Sequence, residues 1–101
     1  MKPFDFKFST GSLFICSKCG KSFDDPDRAE KLKSDLRGEL GKIEATKKIR
    51  VMVGSCLGIC EDGSQTFAYY PNQGKAEVFT TESDYERSKS DIFNFIKSKL
   101  S

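Results

Sequence analysis

Apolar and polar positions along this chain repeat with two different periods, and the switches between them mark out its elements. Leu13-Phe14-Ile15 is a short, β-prone apolar run that suits a buried strand. Behind it Ala29, Leu32, Leu36 and Leu40 recur at spacings of three and four, which puts them on one face of a helix. Asp25 reads as the cap of that helix, Pro26 as its first position and Gly41 as its stop, so a helix is expected over about 26–40. Ile49-Arg50-Val51-Met52-Val53 is mostly apolar on both alternating sets, as an inner strand is. Thr66–Tyr70 and Lys75–Phe79 flank the turn residues Pro71-Asn72-Gln73-Gly74 and read as a β-hairpin. Ser83 with Glu86 forms a capping box, and Tyr85, Ile92, Phe95 or Ile96, and Leu100 supply an inward face, which predicts a last helix over 84–100.

The resulting order, β-α-β-β-β-α, predicts an α/β domain with two helices on a small mixed sheet. Residues 13–101 form that domain. Residues 1–12, where Phe4, Phe6 and Phe8 alternate with polar residues before Ser9-Thr10-Gly11-Ser12 breaks the pattern, read as an arm or an edge strand. A strand–helix–strand crossover is expected to be right-handed with its two strands parallel. Parallel strands end at one edge of a sheet, and here each is followed by a cysteine pair: Cys16 and Cys19 after the first, Cys56 and Cys60 after the second. The topology therefore predicts one site.

Composition sharpens this. The chain has 101 residues, four of them cysteine and none histidine. The missing imidazole removes His-containing zinc fingers, Rieske-type clusters and every Ser-His or Cys-His nucleophile. No run approaches the roughly 20 apolar residues of a membrane span, and Met1–Asp5 lacks a secretory apolar region, so a cytoplasmic address without membrane partners is expected. In that reducing compartment the cysteines need a role other than disulfides. A net charge of +2, with lysines interleaved with acids as in Lys31-Leu32-Lys33-Ser34-Asp35, argues against nucleic acid. Arg50, Lys18 and Lys21 are expected near the cysteine edge, where they would steer an acidic partner.

Four convergent thiolates admit three chemistries. A 2Fe–2S cluster needs four thiolates, two per iron, so Cys16 and Cys19 would hold one iron and Cys56 and Cys60 the other. Gly54 and Gly58 would let backbone approach the cluster and donate amide hydrogen bonds to it. Structural zinc on the same four cysteines is the alternative, with Cys16-Ser17-Lys18-Cys19-Gly20 similar to a zinc knuckle and the function an interaction domain. Thiol–disulfide exchange at Cys16 and Cys19 is the second alternative; it explains only one pair.

Cys56-Leu57-Gly58-Ile59-Cys60 resembles the second cysteine pair of the thioredoxin-like 2Fe–2S ferredoxins. It is also similar to the corresponding loop in the small thioredoxin-like 2Fe–2S subunit of NADH dehydrogenases and hydrogenases. The first pair at the end of the first strand, the hairpin with Tyr70-Pro71-Asn72-Gln73-Gly74 and the closing amphipathic helix are similar too, so the likeness covers roughly residues 13–100. One feature departs from the family, whose first pair spans a longer loop: here only Ser17 and Lys18 intervene. The resemblance implies a thioredoxin-like fold, a 2Fe–2S cluster on Cys16, Cys19, Cys56 and Cys60, and often a homodimer. The expectation is an electron carrier with protein redox partners, not an enzyme.

Overall fold

The apolar run at Leu13–Ile15 grows in the structure into β1 (Gly11–Cys16), the strand on which the others are laid. This computed structural model describes residues 1–3, 7–18, 25–54, 64–82 and 84–100. β1 leads to α1 (Arg28–Lys42), then β2 (Ile49–Gly54), β3 (Gln65–Pro71), β4 (Glu77–Thr81) and α2 (Tyr85–Leu100). The expected order β-α-β-β-β-α is the observed one. The sheet runs β2-β1-β3-β4, with β1 and β2 parallel and the other neighbours antiparallel.

One core cluster joins sheet and helices. Leu13 and Ile15, Ile49 and Val51, and Phe67 and Tyr69 come from alternate positions of three strands, so they share one face. Leu32, Leu36 and Leu40 of α1 and Ile92 and Ile96 of α2 complete the same cluster, which puts both helices on that face. The stripe read from the sequence of α1 is buried in full: Ala29, Leu32, Leu36 and Leu40 are at most 3% exposed. Rings extend the cluster toward β4, where Phe67 and Phe79 stack with centroids 5.4 Å apart and Phe95 packs 5.0 Å from Phe79. Tyr70 points the other way; it is 44% exposed and meets Phe14 edge-on at 5.4 Å.

The helix ends differ from the sequence expectation. α1 begins at Arg28, and Asp25 does not cap it; its Oδ1 accepts from the Asp27 amide at 3.1 Å, ahead of the helix. Gly41 does not stop it either. The chain turns at Glu44, which takes the left-handed conformation (φ 56°) with Ile43 as the last half-helical residue. The Ala45 amide donates to the Leu40 carbonyl at 2.8 Å and that of Glu44 to Gly41 at 3.2 Å, the paired bonds of a Schellman ending. Burial of Ala45 in the cluster that holds Leu40 fixes the stop beyond the glycine. At α2 the described cap is Asp84, whose Oδ2 accepts from the Arg87 amide at 3.0 Å; the capping box on Ser83 lies outside the described residues. β4 starts at Glu77, two residues later than read from the sequence, because Gly74 turns with φ 118° and the chain needs Lys75 and Ala76 to return to register.

β2 is an edge strand, not the inner strand its apolar run Ile49–Val53 suggested, and its outer side is met by α1. Arg37 donates through Nε (3.0 Å) and Nη2 (2.7 Å) to the carbonyl of Val51, and Nη2 also lies 3.2 Å from the Met52 sulfur. Among the described residues no helix is long and apolar enough to cross a membrane.

Candidate metal centre

Parallel pairing decides where the cysteine loops leave the sheet. Cys16 is the last residue of β1 and Gly54 the last of β2, and the two are direct partners in the register. The ladder runs one residue further, with the Ser17 amide donating to the Gly54 carbonyl at 2.9 Å. β3 is antiparallel to β1 and so starts at this same edge, with Gln65. The connection from β1 to α1 and the connection from β2 to β3 therefore both depart from one edge. These are the segments in which the sequence carries its paired cysteines.

Cys16 carries a thiol and is 0% exposed. Although buried, it is not a member of the contiguous core cluster. Strand alternation explains this: Leu13 and Ile15 face the helices, so Cys16 falls on the opposite side with Ser12 and Phe14. A cysteine serving only as core filling would belong with Ile15. Gly54 is half-buried in β2, its carbonyl taken by Ser17. Cys19, Cys56, Gly58 and Cys60 lie outside the described residues, as does Lys21. Among the described residues no three Cys, Asp or Glu side chains are grouped as a metal site. Lys18 is exposed at the edge. Arg50 is not there: it pairs with Ser12 near the opposite end of β2, because the strand's own length separates Arg50 from Gly54.

Set against protein-family models, curated proteins and solved structures, the chain has no match.

A polar assembly that sequence reading missed underlies this edge on the helix side. Gln65, 0% exposed, donates Nε2 to the carbonyls of Cys16 (3.1 Å) and Thr66 (3.0 Å). Its Oε1 accepts from Nε of Arg28 at 3.1 Å, and Arg28 is itself only 4% exposed. The Arg28 guanidinium carbon lies 5.6 Å from the centre of the Tyr85 ring, and the Tyr85 hydroxyl donates to Asp35 at 2.6 Å. Burial, reinforced by that bond to a carboxylate, pushes the Tyr85 hydroxyl far above the ordinary tyrosine range. Two signals point here. Arg28 stands one turn before Leu32 on the apolar stripe, and Gln65 shares the alternation of Phe67 and Tyr69.

Beside Arg28 an open cleft of about 610 Å³ runs between the start of α1 and Tyr85, lined also by Asp25, Asp27, Glu30, Lys31, Ser34 and Asp35. Its charges are partly matched internally: Lys31 Nζ lies 3.1 Å from Asp25, and this bond holds the Asp25 carboxyl below its usual value of 3.8. It contains no described cysteine.

Proposed function

We propose that this chain is a 2Fe–2S electron carrier of thioredoxin-like fold, with Cys16, Cys19, Cys56 and Cys60 as the ligands. The observation that carries the reading is the register of Cys16 with Gly54. Cys19 follows Cys16 by three residues and Cys56 follows Gly54 by two, and each residue of chain spans at most about 3.5 Å. Both pairs are thus tethered to neighbouring strand ends about 5 Å apart. Four thiolates and no histidine match the donor set of such a cluster. The fit is supported by Cys16, a buried thiol turned away from the core. The strand order with a parallel β1–β2 pair and both helices on one face agrees with a thioredoxin-like arrangement.

When bound, the cluster supplies reversible one-electron chemistry. The chain's own part is to bind it, shield it and bring it near a partner. Gly54 and Gly58 would let the backbone approach the site, and burial with nearby hydrogen bonds would set the potential. Partners are redox proteins in a reducing compartment, the cytoplasm, and a second copy of this chain within a homodimer. The chain acts as a carrier, not an enzyme.

Thiol–disulfide exchange fits less well. α1 does not begin until Arg28, well past Cys19, so it does not offer Cys16 the helix amino terminus that activates such thiols.

The test is anaerobic purification from iron-replete cells. Reddish-brown protein holding two iron and two sulfide per chain, bleached by a reductant, is the expected result. Colourless protein carrying one zinc per chain would replace the cluster with a structural zinc site on the same four cysteines.

A further inference from the structure

Arg28 stands where local chemistry disfavours it. It is buried, it occupies the apolar stripe of α1, and it lies in the first helical turn, where the backbone dipole repels a cation. Residues that break local rules concentrate at functional or strained sites. The contacts of Arg28 lead to the cysteine edge. Its Nε holds Gln65 Oε1 at 3.1 Å, and Gln65 Nε2 holds the Cys16 carbonyl at 3.1 Å. Gln65 also reaches the Thr66 carbonyl, so one side chain ties the end of β1 to the start of β3. Tyr85, anchored on Asp35, packs against the guanidinium from α2. Cys16 is therefore braced by a line of side chains that reaches both helices.

We propose that Gln65 and Arg28 are positioning residues for the metal centre: Gln65 fixes the backbone of Cys16, and Arg28 fixes Gln65. The inference rests on the metal-centre reading above. A strand-end cysteine whose carbonyl is held presents its sulfur from one place. Removing the hold lets the ligand wander, and loss of such an outer contact typically costs 10–100-fold in metal affinity. An ordinary structural staple behaves differently, lowering global stability while leaving the bound metal unchanged.

The full chain, purified without metal under anaerobic conditions, is titrated with Co²⁺ against a competing chelator. Gln65→Leu is expected to bind Co²⁺ roughly 10- to 100-fold more weakly and to shift its thiolate charge-transfer band. Gln65→Glu is the companion variant: it keeps an acceptor for Arg28, preserving the fold, but loses the donor to Cys16, and should show the same defect. Arg28→Met should weaken binding as well, and Arg28→Lys, which keeps a cationic donor, should recover most of the loss. Wild-type affinity and spectrum in Gln65→Glu and Arg28→Met overturn the proposal, even where unfolding shows both variants less stable.

If the wild-type chain takes no Co²⁺, the metal-centre reading fails separately, and the hold on Cys16 is read from its alkylation rate. In a background of Cys19→Ser, Cys56→Ser and Cys60→Ser, Gln65→Glu should speed alkylation of Cys16 beyond its effect on global unfolding. A rate that tracks global stability alone overturns the hold.

Discussion

The two ends of the sheet are closed by different means. Where β1 begins, backbone does the holding. The amides of Ser9, Thr10 and Asn72 donate to the carbonyls of Lys47 (3.1 Å), Lys48 (2.8 Å) and Thr10 (3.1 Å), and the Asn72 side chain donates to Phe8 at 2.8 Å. Gly11 is so tightly enclosed that a Cβ there would stand 2.7 Å from the Tyr70 carbonyl oxygen and 2.8 Å from the Tyr69 hydroxyl. Where β1 ends, the backbone bond from Ser17 to Gly54 is joined by side chains, Gln65 and Arg28, from beneath. Gly11 itself has no room for a side chain, although a cleft of about 600 Å³ lined by Ser9, Thr10 and Asn72 opens beside it. The end braced by side chains is the one at which Cys16 sits.

Four measurements can break or sharpen this contrast. Cys56→Ala should abolish cluster binding, read as iron per chain, while the end around Gly11 stays folded; full iron retention would show the ligand assignment to be wrong. Gly11→Ala should cost about 1–3 kcal/mol in urea unfolding, since backbone must move to admit the methyl group. Its iron content should stay at the wild-type value, and a loss as large as that of a cysteine variant would mean the two ends are not independent. Glu44→Gly should raise stability by about 1 kcal/mol, because glycine takes the left-handed turn without the Cβ penalty. An unchanged urea midpoint would contradict that reading of the turn.

The smallest effect concerns Asp25. Its folded-state value lies below the usual 3.8, chiefly through the Lys31 hydrogen bond and against a burial effect of opposite sign. A depressed carboxyl adds stability that is complete above the unfolded-state value and disappears as pH falls through the folded one. Asp25→Asn should therefore flatten the acid limb of the stability curve slightly, seen as urea midpoints that converge with wild type at low pH. Curves that stay parallel throughout would remove Asp25 from the account.

Periodic features are legible in the sequence; exceptions to periodicity are not. The stripe Ala29, Leu32, Leu36, Leu40 predicts α1 correctly because every apolar position is buried. Parallel pairing of β1 with β2 follows from the strand–helix–strand order. The end of α1 is hidden because Glu44 adopts a glycine conformation, offset by burial of Ala45, which no local propensity reveals. The place of Arg50 is hidden because proximity to cysteines in sequence ignores the length of the strand between them. Of the candidate site, the shared edge is legible from topology. The brace is not, since Gln65 and Arg28 meet across 37 positions of chain and each looks like a surface residue when read alone.

Arg37 has a consequence beyond this chain's own fold. An exposed sheet edge is a template on which another molecule's strand can add, and aggregation often starts there. On β2 the Val51 carbonyl, which such a strand would need, already accepts two hydrogen bonds from one guanidinium. An incoming strand must displace a charged fork before it gains its first rung. At this rung the sheet edge is guarded by a side chain from the neighbouring helix.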